Sequence, residues 1–133
     1  MVRHPTRQSK RIRRHRFTRA VQNALQDLPP AIQFMLNNVE VVIADEPSDE
    51  DMEDTGPDAA NELFGLYQGI PLTERGSDYS MVLPDKITLF RGPLERSFDD
   101  PREIAEQVRI TVIHEIAHHF GIDEDRLDEL GYA

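Results

Sequence analysis

Apolar residues recur at helical spacing at Phe17, Val21, Ala24, Leu25 and Leu28, and Pro29-Pro30 stops the run. A short second helix is expected through Ile32, Phe34, Met35 and Leu36, with these side chains in the core. Asn37-Asn38 reads as a turn, and Val39-Glu40-Val41-Val42-Ile43 is the strongest strand in the chain. Residues 63–67, Leu-Phe-Gly-Leu-Tyr, predict a second strand. Residues 85–91 alternate and predict a third, which Gly92-Pro93 closes. Asp100-Pro101-Arg102-Glu103 then supplies a cap, a proline at the first helical position and an acid three residues after the cap. The helix it opens is kept largely buried by Ile104, Val108, Thr111, Val112, Ile113, Ile116 and Phe120, and Gly121 suits the position just past its end. Over residues 101–120 it spans about 30 Å at 1.5 Å per residue. Three strands and three or four helices in mixed order predict a small α+β domain.

The chain has 133 residues, one domain's worth. No apolar run approaches the roughly 20 residues a membrane helix needs. No apolar stretch follows the basic N-terminus, which argues against a secretory signal. There are no cysteines, which excludes disulfides, thiolate metal sites and cysteine nucleophiles and suits a cytoplasmic protein.

The net charge of −10 conceals a split. Residues 1–19 hold eight Arg or Lys and no acid, whereas the rest hold seven basic and twenty-five acidic side chains. Residues 1–16 show no hydrophobic period and are expected to form a flexible basic arm ahead of a domain over residues 17–133. The acidic body repels nucleic acid, so contact with it is expected only through the basic residues of 3–19. No aromatic platform is interleaved with Arg11, Arg13 and Arg14 to read bases. Residues 45–58 carry eight acids in fourteen positions and are expected to be an exposed, solvated loop. They lack the ligand intervals of a calcium loop. The arm lying across this loop or an acidic cleft would give a salt-sensitive form of self-regulation.

The chemistry is concentrated in His114-Glu115-Ile116-Ala117-His118. Two histidines four apart stack on one helix face, so both imidazoles reach one zinc ion at about 2.0–2.1 Å. Glu115 lies on the adjoining face, within reach of a water on that ion, and is the candidate general base. Two histidines on an apolar face also have a purely structural reading as hydrogen-bonded core residues. A catalytic zinc takes three protein ligands and one open position. His119 is five residues from His114 and so about 140° around the helix, which makes it a poor third ligand. Glu124, ten residues after His114, completes H-E-x-x-H-x-x-G-x-x-E and gives a His₂Glu set. Asp123 and Asp125 flank it and stand as one-residue alternatives. No methionine follows the third-ligand position, as the metzincin pattern requires, and Glu129 is the only late candidate for a ligand from a further helix, on a tail too short to bring it round. Ferrous iron also suits a His₂–carboxylate set, but the adjacent glutamate favours hydrolytic zinc. Tyr67, Tyr79, Tyr132 and Arg126 are the candidates by chemistry for stabilising an oxyanion.

The stretch HEIAHHFGIDEDRLDELGY resembles the signature of the minimal zincin-like metallopeptidases of bacteria. Upstream, LPPAIQFMLNNVEVVIADEP, LFGLYQGIPLTERG and LPDKITLFRGPL are similar to that family's blocks in the same order. The resemblance covers roughly residues 17–132. It implies a reduced zincin fold: a small sheet, an active-site helix and a short C-terminal helix. It also implies zinc at His114 and His118, with Glu115 as base. The family usually carries aspartate at the third-ligand position, where this chain has Glu124, one methylene longer.

Two functions follow as expectations. The first is a zinc-dependent peptidase acting on peptide or protein substrates, with an edge strand, residues 63–67 or 87–90, pairing with the substrate. The second is a metal-stabilised binding or regulatory module without peptide turnover.

Overall fold

A computed structural model describes residues 7–54, 63–69 and 84–129. Its elements are α1 (Arg7–Gln26), α2 (Pro30–Met35), β1 (Val39–Ala44), α3 (Asp49–Asp54), β2 (Gly65–Gln68), β3 (Asp85–Phe90), α4 (Arg91–Ser97), α5 (Pro101–His119) and α6 (Glu124–Glu129). A 3-10 turn, Leu36–Asn38, joins α2 to β1. The architecture is α+β with one three-stranded sheet, as the hydrophobic pattern predicts.

The strand order is β1-β3-β2. β1 runs parallel to β3, from Val39 opposite Asp85 to Ala44 opposite Phe90. β2 runs antiparallel to β3, from Gly65 opposite Leu89 to Gln68 opposite Lys86. The central strand is the most buried, with Ile87, Leu89 and Phe90 wholly inaccessible. Ile87 and Leu89 join one core with Phe17, Val21, Ala24 and Leu28 of the first helical segment and with Val108, Val112 and Ile116 of α5. α5 is therefore the pillar of the domain. Asp100 caps it by accepting the Arg102 N–H at 2.9 Å, and Pro101 opens it. Gly121, at φ 71°, ends it in the left-handed region that glycine enters without a Cβ clash.

Five expectations are corrected. Residues 87–90, expected as one of two possible substrate-pairing edges, lie in the central strand β3, which is paired on both sides. Residues 7–16, the described part of the expected irregular arm 1–16, are helical; residues 1–6 lie outside the described residues. The packed face that begins at Phe17 nucleates the helix, and arginine, lysine and glutamine extend it at little cost, with side chains 10–16 solvated. The acidic stretch holds α3, because Ser48 and Asp51 cap each other reciprocally: the Ser48 N–H donates to Asp51 at 2.9 Å and the Asp51 N–H to the Ser48 hydroxyl at 3.0 Å. Gly92-Pro93 does not simply close β3 but lies inside α4, with Pro93 buried in its first turn. Phe34 and Phe120, both expected to be buried, are 76 % and 52 % exposed, and Ile32 is the buried anchor of α2. Among the described residues no helix is long and apolar enough to cross a membrane.

Candidate metal centre and active site

β2 and α5 run side by side in matched register. Two strand residues advance about 6.6 Å and one helical turn of four residues about 6.0 Å, so alternate strand positions meet successive turns. Gly65 faces Thr111: a Cβ at position 65 would lie 2.8 Å from the Thr111 methyl. The Tyr67 backbone N–H donates to Glu115 Oε1 at 3.0 Å. Its ring stacks on His119 with centroids 4.0 Å apart and planes at 21°. Gly69 closes the series, with its Cβ direction 3.4 Å from the His119 ring.

The hydrogen-bond parity of the sheet explains why the Tyr67 amide points at Glu115 and not at β3. The Phe90 N–H donates to the Phe64 carbonyl at 2.9 Å, so Phe64, Leu66 and Gln68 direct their backbone groups at β3. Gly65 and Tyr67 direct theirs away from β3, toward the side of β2 that no strand covers among the described residues. Glu115 takes one of these edge donors.

His114 and His118 are both exposed, one turn apart on α5. The buried, hydrogen-bonded core reading is thereby removed. Glu115 between them is half-buried. Burial pushes its carboxyl above the ordinary glutamate range, while the Tyr67 amide and then the His118 and His114 imidazoles pull it back. A shallow cleft of about 180 Å³ adjoins His114 and Glu115, walled by Phe64, Gly65, Ile110 and Thr111.

Past Gly121 the chain turns into α6. Asp123 caps this helix, accepting the Arg126 N–H at 2.8 Å, and Leu127, 2 % exposed, anchors it to the core. Glu124 is the first residue of α6, and its side chain lies outside the described residues. Asp125 and Glu129 are exposed, and Glu129 pairs with Arg126 at 2.9 Å. Among the described residues no three His, Asp or Glu side chains gather as a metal-holding group. The donor chemistry fits zinc for two ligands: paired, solvent-facing imidazoles beside a carboxylate that an amide orients.

His119, a poor ligand by its spacing, has other neighbours in the structure. Its Nε2 lies 3.8 Å from Asp85, and the Tyr67 hydroxyl donates to the same carboxylate at 2.7 Å. Spacing alone signals this face, because residues 111, 115 and 119 are four apart. Of the oxyanion candidates, Tyr67 is engaged with Asp85 and Arg126 with Glu129. Tyr79 and Tyr132 lie outside the described residues.

The family described as zincin-like metallopeptidase matches residues 36–132 of this chain. The chain belongs to that family. The match takes in all three strands, α5 and α6, and begins after α1 and α2. Among solved structures this zincin-like chain is similar to a conserved hypothetical protein from Thermo thermophilus, at 19 % identity and TM-score 0.48, over 79 % of this chain and 91 % of that one. No curated protein matches it.

Proposed function

We propose that the chain is a zinc-dependent peptidase, with Glu115 as general base and with His114, His118 and Glu124 as the residues that hold the metal. The observation that carries this reading is the Glu115 carboxylate, fixed by the Tyr67 amide beside two exposed histidines one turn apart. Glu124 is preferred to Asp123 because the Asp123 carboxylate already caps α6. When bound, zinc polarises the scissile carbonyl and brings the pKa of an attached water to about 7.

The chain's own part is to position substrate and move the proton. The backbone N–H and C=O of Gly65, directed away from β3, offer an extended peptide a place to pair, next to the cleft at His114. Glu115 takes the proton of the attacking water and passes it to the leaving amine. Its desolvated carboxyl, shifted upward, is closer to the working pH and suits both halves of that transfer. Substrates are peptides or proteins, and the strongly acidic body favours neutral or basic ones.

The test is cleavage of a mixed peptide library by the zinc-loaded wild type and Glu115→Gln, read by mass spectrometry. The variant is expected to lose activity by about 10²–10⁴-fold, the size of a general-base contribution. Equal cleavage by both would overturn the role of Glu115. No cleavage by the zinc-loaded wild type would favour the metal-stabilised binding module.

A further inference from the structure

α1 lies along the first half of α5, and an open groove of about 540 Å³ runs between them. Its floor is small and apolar, formed by Ala20, Ala24 and Ala105. Arg16, Arg19 and Arg102 stand along it, all three side chains exposed. Among the described residues none of the three guanidiniums has an ion-pair partner. Arg109, also on the rim, is neutralised by Glu106 at 2.8 Å, and Asp27 is the other acid lining the groove. The groove therefore sets three cations without ion-pair partners among the described residues against one acid, Asp27, over an apolar floor.

The chain carries a segment of complementary chemistry. α3 presents Asp49, Glu50 and Glu53, all exposed and without a cationic partner among the described residues. The acids just before it are spent within the chain, Asp45 on Arg91 at 2.9 Å and Glu46 on Arg96. This segment does not line its own groove. Asp45 adjoins Arg14 and Thr18 on one flank of α1, whereas Arg16, Arg19 and Asn23 line the groove on the other. At 100° per residue, Arg16 points about 200° away from Arg14. A nucleic acid fits less well, because a long polyanion would meet the acidic body and finds no aromatic platform in the groove.

We infer that the α1–α5 groove docks the acidic helix α3 of a second copy of this chain, pairing Arg16, Arg19 and Arg102 with Asp49, Glu50 and Glu53. The net charge of −10 opposes long-range approach, so the contact acts at short range, at ionic strengths where the Debye length is about 8 Å.

Sedimentation velocity at about 0.15 M salt tests this over a range of protein concentrations. The wild type is expected to self-associate as concentration rises. The groove reversal Arg16→Glu, Arg19→Glu, Arg102→Glu and the helix reversal Asp49→Lys, Glu50→Lys, Glu53→Lys should each weaken self-association by at least about tenfold. Mixing the two reversed proteins should restore association, since each then meets its complement; this also shows that both are folded. A wild type that stays monomeric throughout would overturn the inference, as would a groove reversal that associates like the wild type. Binding of a single-stranded oligonucleotide to the wild type, lost in the groove reversal, would assign the groove to nucleic acid and overturn the inference.

Discussion

The backbone N–H of Tyr67 holds Glu115 Oε1 at 3.0 Å, so the carboxylate between two exposed histidines is oriented by an edge strand, not by its own helix. Within an α-helix a glutamate side chain turns freely about three torsions, and an ordering contact from another element removes that freedom. Here the contact costs the strand nothing, because the amide is an outward edge donor that β3 cannot use. Sheet topology, helix register and the placement of Glu115 thus form one arrangement.

Gly65 sets the distance at which that arrangement works. A Cβ there would meet the Thr111 methyl at 2.8 Å, with Leu89 and the Thr88 carbonyl each at 3.2 Å. Gly65→Ala should push β2 off α5 and destabilise the domain by about 1–3 kcal/mol, the usual cost of overpacking. Cleavage should fall with it, because Tyr67 then no longer reaches Glu115. Chemical denaturation and the peptide assay check both, and an unchanged unfolding midpoint would refute the close approach.

Glu115→Gln should leave the chelator-treated protein at least as stable as the wild type at neutral pH. The amide oxygen still accepts from Tyr67, and the charge that burial disfavours is gone. The sign follows from the upward shift. A carboxyl with a folded-state pKa above its unfolded value costs stability when ionised, and that cost disappears as pH falls through the folded and then the unfolded pKa. The advantage of the variant should therefore shrink toward acid pH. Thermal unfolding from pH 4 to 8 checks the trend, and a variant less stable than wild type at pH 7 would contradict it.

Leu127→Ala removes no donor atom but withdraws the buried anchor of α6, the helix that Glu124 opens. The expected cost is about 2–5 kcal/mol, as for other buried leucines. If Glu124 is the third ligand, zinc affinity should fall as well, while Asp125→Ala, at an exposed neighbour, should leave it unchanged. Competition with a zinc indicator measures both. A loss of affinity in Asp125→Ala and none in Leu127→Ala would move the third ligand.

Much of this arrangement is legible in the sequence where local signals agree with tertiary ones. Asp100-Pro101 and Gly121 bracket the helix predicted over 101–120, and α5 runs Pro101–His119. The predicted strands at 39–43, 63–67 and 85–91 correspond to Val39–Ala44, Gly65–Gln68 and Asp85–Phe90. The misreadings have separate physical causes. The basic half of α1 has no apolar period because its side chains at 10–16 are exposed, and it is helical by continuity with the packed half that starts at Phe17. α3 is hidden by its charge, although Ser48 with Asp51 three residues on is a readable capping signal. The Thr111–Glu115–His119 face is obscured by the histidine motif beside it, and its partner on β2 is a backbone amide, which no side-chain pattern encodes.

The most direct test of the metal centre is elemental analysis of purified protein, wild type beside Glu115→Gln, His118→Ala and Glu124→Ala, each supplied with zinc and then desalted. Stoichiometric zinc is predicted in the wild type and in Glu115→Gln, with little in His118→Ala or Glu124→Ala. Zinc absent from the wild type, or retained equally by His118→Ala, would contradict the proposed centre.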